Sequence, residues 1–212
     1  MYRIAVLVSG TGSNFLSLAE AIEDGRLSNV EIVRVISDKS DAKALDKAKE
    51  KGIPTSIVDK KSPYSSVSDQ ILDLLTKEDP VNLVVLAGFL SILEGELLKA
   101  YAGKMMNIHP SLIPSFCGNG MYGLKVHQAA IDYGVKVTGC TVHLVSEETD
   151  GGPIILQKTV SVETDDAKEL QQAVLLQEHQ AIVEVVAYFA ADEVRVDGRH
   201  VRIGKREERA EE

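Results

Sequence analysis

The stretch from Asn107 to Pro114 contains the residue types that acyl-type transfer chemistry needs. Asn107 and His109 are two positions apart and follow the apolar pair Met105 and Met106, so in a strand both side chains would point to the same face. A carboxamide can donate to a developing oxyanion, and an imidazole beside it can move a proton. The alternative interpretation is a strand end that merely caps a proline-rich loop, and this stretch alone favours neither.

A third candidate is Asp150, in the sequence Asp-Gly-Gly-Pro. Aspartate is favoured in turns for local reasons, which alone would explain a single Asp here. However, this turn joins two predicted strands and could carry the carboxylate over the carboxyl ends of parallel strands, where open α/β sheets keep their sites. A carboxylate near His109 would favour the imidazolium form and assist proton transfer.

A glycine-rich loop, Ser-Gly-Thr-Gly-Ser-Asn, follows the first apolar run. Gly10 and Gly12 allow close backbone approach, and a helix that begins there offers free N–H groups to a phosphate. Two other interpretations are a plain turn capped by Asn14 and a dinucleotide site with Asp38 as its ribose-binding acid. Phe15 stands where the dinucleotide fingerprint needs a small residue, and no Gly-Lys-[Ser/Thr] follows, which excludes a Walker loop.

The scaffold for these residues is predicted to be a parallel, doubly wound α/β sheet, because short apolar runs alternate with longer segments of mixed charge. The predicted strands are Ile4–Val8, Val30–Ile36, Thr55–Val58, Leu83–Leu86 and Met105–Ile108. The predicted helices are Asn14–Glu23, Asp41–Lys51, Tyr64–Thr76 and Glu96–Tyr101.

The second half of the chain has a different rhythm. Lys136–Val145 and Ile154–Val162 predict two longer strands with no helix between them, which favours an antiparallel pair. A long helix is predicted to begin after Asp166, with Glu169 completing a capping box, and to end near Ala190. The fold class is therefore Rossmann-like α/β, with a mainly parallel sheet, an antiparallel C-terminal strand pair and a long C-terminal helix.

The end of the chain predicts a small hairpin at Val194–Ile203, around the turn pair Asp197-Gly198. We expect residues 1–204 to form a single domain, and the charged tail at 205–212 to be disordered.

Composition limits the class of protein. The net charge of -9 argues against a nucleic-acid partner, which would need a basic surface. No apolar run approaches the ~18 residues of a membrane span, and no signal peptide is visible. Cys117 and Cys140 are the only cysteines and have no paired spacing, so a reducing cytoplasm is expected.

Five segments, taken together, resemble the phosphoribosylglycinamide formyltransferases, or glycinamide ribonucleotide transformylases, of the folate-dependent formyltransferase family. They are Ser9–Asn14, Val85–Leu90, Asn107–Pro114, Thr138–His143 and Asp150–Ile155, in family order. Asn-x-His-Pro-Ser with a downstream Asp-Gly-Gly-Pro marks the folate formyltransferases as a group. Gly-Thr-Gly-Ser-Asn narrows that group to the enzymes that act on the ribonucleotide.

The resemblance implies formyl transfer from 10-formyltetrahydrofolate to the glycyl amine of N1-(5-phosphoribosyl)glycinamide in de novo purine (IMP) biosynthesis, without a metal. The implied catalytic residues are Asn107, His109 and Asp150. The ribonucleotide, with its phosphate at the glycine-rich loop, is expected on Gly12, Ser13, Asn14 and Glu178. The folate is expected on Leu90, Ser91, Ile92, Leu93 and Asn107, with Leu86 adding to the apolar wall.

Two departures from the family pattern bear on this expectation. Ser91 stands where an Arg is common, so a guanidinium contact is lost, while backbone contacts from Leu90 to Leu93 can survive. The loop Ser115–Gly123 contains three glycines and is expected to be mobile.

The other four histidines are expected to be structural. His143 is predicted to be a hydrogen-bonded strand residue, and His179 and His200 have no assigned role. For His127 a place along the substrate cleft is the alternative.

Three other functions stay open for the chain. Methionyl-tRNA formyltransferase shares the Asn-x-His chemistry but adds a C-terminal tRNA-binding domain and a basic surface, neither of which is seen. Formyltetrahydrofolate deformylase, a hydrolase, carries an N-terminal regulatory domain, whereas the first strand starts almost at the N-terminus here. A non-catalytic nucleotide-binding module would not need Asn107, His109 and Asp150 together. We expect a monomer or weak homodimer without nucleic-acid or membrane partners.

Overall fold

The computed structural model describes residues 1–204, so the expectation for the tail at 205–212 lies outside the described residues. A seven-stranded sheet runs in the order β3-β2-β1-β4-β5-β6-β7, beside a two-stranded hairpin, β8-β9. The strands are β1 (Tyr2–Val8), β2 (Val30–Ser37), β3 (Thr55–Ile57), β4 (Leu83–Leu86), β5 (Met105–His109), β6 (Val137–Leu144), β7 (Ile154–Ser161), β8 (Val194–Asp197) and β9 (His200–Ile203). The helices are α1 (Ser13–Glu23), α2 (Lys43–Glu50), α3 (Val67–Asp73, continued by a π-helical segment Leu74–Glu78), α4 (Glu96–Ala100), α5 (Leu124–Tyr133) and α6 (Ala167–Ala190).

The sheet is parallel from β3 to β5 and antiparallel from β5 to β7. This confirms the predicted fold class, including the antiparallel pair β6-β7 and the long helix α6. The strand order reverses between β1 and β4, because the chain moves outward through β2 and β3 and then returns to the other side of β1. Such a switch point opens a crevice at the carboxyl ends of the two strands.

Strand β1 explains why the sheet needs layers on both faces. Every residue from Ile4 to Val8 is fully buried, and alternate side chains enter two different cores. Ile4, Val6 and Val8 pack in the core that α1 and α6 cover. Ala5 and Leu7 pack in the opposite core, under α3 and α4. Helix α6 also contacts α1 directly, which brings its middle turns to the crevice.

Capping explains the largest difference in helix boundaries. The helix predicted at Tyr64–Thr76 begins later, at Val67, because the Ser66 hydroxyl accepts from the Asp69 N–H while the Asp69 carboxylate accepts from the Ser66 N–H. This reciprocal pair satisfies two backbone donors and fixes the first turn. The other predicted elements lie within two residues of their observed bounds.

The capping box predicted for α6 is wrong. Asp166 does cap the helix, since its carboxylate accepts from the Lys168 N–H at 2.8 Å. Glu169 instead accepts from the hydroxyl of Thr164, outside the helix, at 2.5 Å. Within residues 1–204, none of the helices combines the length and the apolar character that crossing a bilayer requires.

Candidate active site

A cavity of about 580 Å³ opens at the carboxyl ends of β1, β4 and β5. Its lining comes from the glycine-rich loop, the segments that follow β4 and β5, the turn at Asp150, the loop at 118–123 and helix α6. The candidate residues that the sequence scatters over the chain therefore meet at the switch point of the sheet, as open α/β folds favour.

The side chains of Asn107 and His109 lie on the same face of β5, as their spacing predicts, and both line the cavity. The His109 Nε2 lies 3.0 Å from the carbonyl oxygen of Phe116, and a carbonyl can only accept, so this nitrogen carries a proton. The His109 Nδ1 faces the Asp150 carboxylate at 3.6 Å, beyond a normal hydrogen bond. In the neutral ring, Nδ1 is thus the nitrogen that can take up a proton.

Burial lowers the pKa of His109 below 6.5, and the Phe116 hydrogen bond and the charge of Asp150, which both raise it, do not compensate. The Asp150 carboxylate does favour the imidazolium form, as the sequence predicts. Desolvation of a side chain that is almost fully buried outweighs this effect. The imidazole is neutral at neutral pH and is ready to act as a base.

Asp150 sits in the turn between β6 and β7 with a φ of 55°, a left-handed conformation that Asp tolerates better than most residues. One carboxylate oxygen accepts from the Gly118 N–H at 2.9 Å. Burial alone would raise the pKa of Asp150, but the neighbouring His143 imidazole, the hydrogen bond from the Gly118 N–H and the His109 imidazole hold it below its ordinary value. A carboxylate that is ionised at neutral pH therefore faces His109.

His143 belongs to this cluster, which the sequence does not indicate. It is a hydrogen-bonded strand residue, as predicted, but its Nε2 lies 3.1 Å from the Asn107 Nδ2 and 3.6 Å from the Asp150 carboxylate. The register of β5 and β6 sets Asn107 directly opposite His143. The alternation of the β6 sequence gives the face on which His143 lies, but not its partner strand.

The loop 115–123 contacts two of these side chains through its backbone. Phe116 supplies the carbonyl at His109, and Gly118 supplies the N–H at Asp150. Its position against the catalytic candidates could not be predicted from its three glycines.

Only glycine fits at position 12 of the glycine-rich loop. Gly12 has a φ of 73°, and a Cβ there would lie 2.5 Å from the Cβ of Ala44 on α2. Helix α1 begins at Ser13 without a side-chain cap, so its first N–H groups have no side-chain partner and suit an anion. Together, Gly12, Ser13 and Asn14 line the cavity.

Asn14 does not cap α1 but turns toward α6. Its Nδ2 donates to the Glu178 carboxylate at 2.7 Å, while its buried Oδ1 has no hydrogen-bond partner among residues 1–204. Burial raises the pKa of Glu178, against the lowering effect of the Asn14 hydrogen bond. The predicted substrate residues of α1 and α6 thus form one polar wall of the cavity.

A second, smaller cavity of about 130 Å³ adjoins the first. It is lined by the expected folate residues Leu86, Leu90, Ser91, Ile92, Leu93 and Asn107, together with Phe89, His143 and Asp150. Leu90 and Ile92 are 45% and 70% exposed, which leaves apolar surface for a flat aromatic ligand.

Asp38 is not available to bind a ribose. Its carboxylate is fully buried and accepts from Ser9 at 2.5 Å and from Ser91 at 2.7 Å, and it pairs with Lys60 at 2.5 Å. Burial would raise the pKa of Asp38, but these three partners lower it below its ordinary value. A dinucleotide site would therefore lack the free carboxylate that binds the ribose. Ser91, which stands where Arg is common in the family, instead binds Asp38.

His127 lines the cavity, which confirms the alternative prediction that it lies along the substrate cleft. Its side chain is 1% exposed, and its Nδ1 has no hydrogen-bond partner in the described part of the chain. Burial, with a smaller contribution from His109, lowers its pKa to about 4. His127 is therefore neutral and does not compete with His109 for a proton.

Known proteins give consistent matches. A formyl transferase family model matches residues 2–186. The chain is 41% identical to the trifunctional purine biosynthetic protein adenosine-3 of Homo sapiens over 92% of its own length, but spans only 19% of that protein. It is 38% identical to a phosphoribosylglycinamide formyltransferase of Haemophilus influenzae, covering 92% of this chain and 91% of that one.

Solved structures agree with the sequence matches. Glycinamide ribonucleotide transformylase 1 from Symbiobacterium toebii superposes with a TM-score of 0.88 at 36% identity, over 96% of this chain and 94% of that one. A formyltetrahydrofolate deformylase from Pseudomonas syringae superposes with a TM-score of 0.84 at 26% identity, over 96% of this chain and 66% of that one.

Proposed function

The chain belongs to the formyl transferase family, and we propose that it transfers the formyl group of 10-formyltetrahydrofolate to the glycyl amine of glycinamide ribonucleotide, a step of de novo purine biosynthesis. The observation that carries this proposal is the convergence of Asn107, His109 and Asp150 between an anion-type loop and an apolar pocket. A site that bound only an anion, or only an apolar ligand, would need no proton-transfer group such as His109 beside it.

In the proposed reaction, the amine nitrogen attacks the formyl carbon and a new C–N bond forms. The Asn107 amide donates to the oxyanion that develops on the formyl oxygen. His109 takes a proton from the attacking amine at its Nδ1, and the ionised Asp150 stabilises the resulting imidazolium. When the intermediate collapses, the bond to the folate N10 breaks and that nitrogen receives the proton, directly or through water.

The ribonucleotide binds along the wall formed by α1 and α6. Its phosphate lies on the free N–H groups of Gly12, Ser13 and Asn14, where the positive end of the α1 dipole adds to the attraction. Glu178 contacts the same substrate, since it is hydrogen-bonded to Asn14 and lines the cavity. A buried carboxyl group of this kind suits a neutral, hydrogen-bonding part of the substrate rather than its phosphate.

The folate binds in the adjoining pocket. Backbone groups from Leu90 to Leu93 contact the pterin ring, and Leu86, Leu90 and Ile92 supply the apolar wall. Asn107 lines both cavities, so its amide stands where the two substrates meet.

We further propose that residues 1–204 form one formyltransferase domain. We also propose that the protein acts in the cytoplasm, in keeping with its free cysteines, and that it is a monomer or weak homodimer.

The decisive experiment measures folate release with and without the ribonucleotide. Asn107 and His109 stabilise a tetrahedral intermediate whatever nucleophile forms it, so positioning must select the amine over water. Such orientation can contribute roughly 7–11 kcal/mol at the extreme. We expect folate release to depend steeply on added glycinamide ribonucleotide and to match formylated product one for one.

A deformylase would behave differently in the same experiment. It would release folate and formate at a rate that added ribonucleotide does not change, and that result would overturn the proposal.

A further inference from the structure

The contacts of His143 determine the orientation of the Asn107 side chain. The His143 Nδ1 lies 2.9 Å from the carbonyl oxygen of Leu144. A carbonyl can only accept, so this nitrogen carries a proton, and in the neutral ring Nε2 then has none. His143 is 2% exposed, which leaves little room for water to change the assignment.

The bare Nε2 of His143 needs a donor, and the Asn107 carboxamide provides it. The two side chains meet at 3.1 Å, and of the two ends of the amide only the NH2 group can donate. The Asp150 carboxylate lies 3.6 Å from the same Nε2, too far for a normal hydrogen bond. Ring tautomer and amide orientation are therefore fixed together.

An NH2 group has two hydrogens, and His143 uses one of them. The other is left for the cavity that Asn107 lines. If the amide were turned by 180°, its carbonyl oxygen would take that place and would repel an oxyanion. The terminal torsion of Asn is broad and roughly two-fold, so Asn does not select the productive orientation by itself.

We propose that His143 is a positioning residue, which holds the Asn107 carboxamide with an N–H rather than its carbonyl toward the formyl oxygen. The effect of His143 on the rate rests on the proposed formyl transfer. The hydrogen bond between His143 and Asn107 does not depend on that proposal. His143 also lines the proposed folate pocket, but it acts on the reaction through Asn107 and takes no part in the proton transfer.

The structural content is tested on the substrate-free protein by nitrogen-15 NMR. We expect long-range correlations to identify the Nδ1–H tautomer of His143, and a coupling across the hydrogen bond between His143 Nε2 and Asn107 Nδ2. The Nε2–H tautomer, or no coupling between these two nitrogens, would overturn the inference whether or not the protein transfers formyl groups.

The functional consequence is tested with a matched pair of variants. His143→Asn keeps a donor near the Leu144 carbonyl but removes the acceptor at the Nε2 position, whereas His143→Gln can place an acceptor there. We expect His143→Asn to lower kcat about 10- to 100-fold while both KM values stay within about threefold. Its loss should not exceed that of an oxyanion donor, about 10²–10³-fold. His143→Gln should recover most of the lost rate.

A double-mutant cycle separates positioning from general damage. If His143 acts through Asn107, then adding His143→Asn to Asn107→Ala should cost nothing further. Independent, multiplying losses would contradict the inference. Failure of the proposed function is distinct, because a wild-type protein without ribonucleotide-dependent transfer would still give the NMR result.

Discussion

The polar side chains around the crevice form two groups, one with short hydrogen bonds to every member and one in which some donors and acceptors have no close partner. The first group, the anchoring wall, consists of Asp38, Ser9, Ser91 and Lys60. The Asp38 carboxylate accepts from both serines and pairs with Lys60, all within 2.7 Å. The Ser9 oxygen also accepts from the Leu90 N–H at 2.8 Å. One buried carboxylate therefore ties the glycine-rich loop to the loop after β4.

The second, the reacting wall, consists of Asn107, His109, His143 and Asp150. His109 and Asp150 stand 3.6 Å apart, and Asn107 keeps one N–H for the cavity. Side chains that hold binding loops are saturated, whereas side chains that exchange protons or meet developing charge retain unused donors and acceptors. This division is what a preorganised site with a supporting shell requires.

The largest effect is expected on the reacting wall. His109→Ala should lower kcat by about 10²–10⁴-fold, because a positioned acid/base group is lost. The assay is formyl transfer at saturating concentrations of both substrates. His200→Ala, an exposed histidine of the hairpin, is the matched control and should keep the wild-type rate. Near-normal activity of His109→Ala would show that the proton moves by another route.

The glycine-rich loop should respond through affinity rather than through rate. Gly12→Val places a Cβ against Ala44 in a backbone conformation with positive φ, which distorts the proposed phosphate site. We expect ribonucleotide affinity to fall roughly 10- to 100-fold, as for the loss of one hydrogen bond to a charged group. Folate affinity should stay within about twofold.

Isothermal titration calorimetry with each ligand measures both affinities. Gly204→Ala is the control, because nothing lies within 4 Å of a Cβ at that position and Gly204 lines neither cavity. An equal loss of both ligands, or tight NAD binding by the wild type, would break the assignment of this loop.

Asp150→Asn tests whether the carboxylate acts on His109. Burial lowers the pKa of His109 below 6.5, whereas the charge of Asp150 raises it. The neutral imidazole is the base, so kcat/KM should fall as the pH drops through this pKa. Removing the negative charge lowers the pKa further, and the acid limb of the profile should move to lower pH. At pH 7.5 the rate should drop at least about fivefold, because two charges near 4 Å interact by about 1 kcal/mol even at the dielectric constant of water and by more in a buried site.

The pH profile of kcat/KM reports on the free enzyme and is the appropriate measurement. An acid limb that stays in place in Asp150→Asn would mean that the titrating group is not His109 or that the carboxylate does not reach it.

The pair Asn107 and His109 of the reacting wall is predictable from sequence, whereas His143 and the contacts of the anchoring wall are not. Asn107 and His109 need only the period of a strand to share a face, and that information is local. His143 needs the register of β5 against β6, and Asp38 meets Ser91 across 53 positions of the chain. Contacts of this kind depend on tertiary packing, which strand and helix periodicity does not contain. The fold class follows from the alternation of apolar runs, whereas side-chain caps such as the one at Ser66 need atomic geometry.

The smallest expected effect lies on the anchoring wall, at Ser91. Ser91→Ala removes one of the partners of Asp38 but leaves Ser9 and Lys60, so the carboxylate stays ionised and the fold stays intact. A single net hydrogen bond is worth about 0.5–1.5 kcal/mol, and only part of this should reach the ligand. We therefore expect folate affinity to fall roughly two- to fivefold with kcat unchanged. Because Ser9 also holds the glycine-rich loop, the ribonucleotide should bind with wild-type affinity in Ser91→Ala but more weakly in Ser9→Ala. If Ser91→Ala instead lowered kcat as strongly as a change on the reacting wall, the division between the two walls would be wrong.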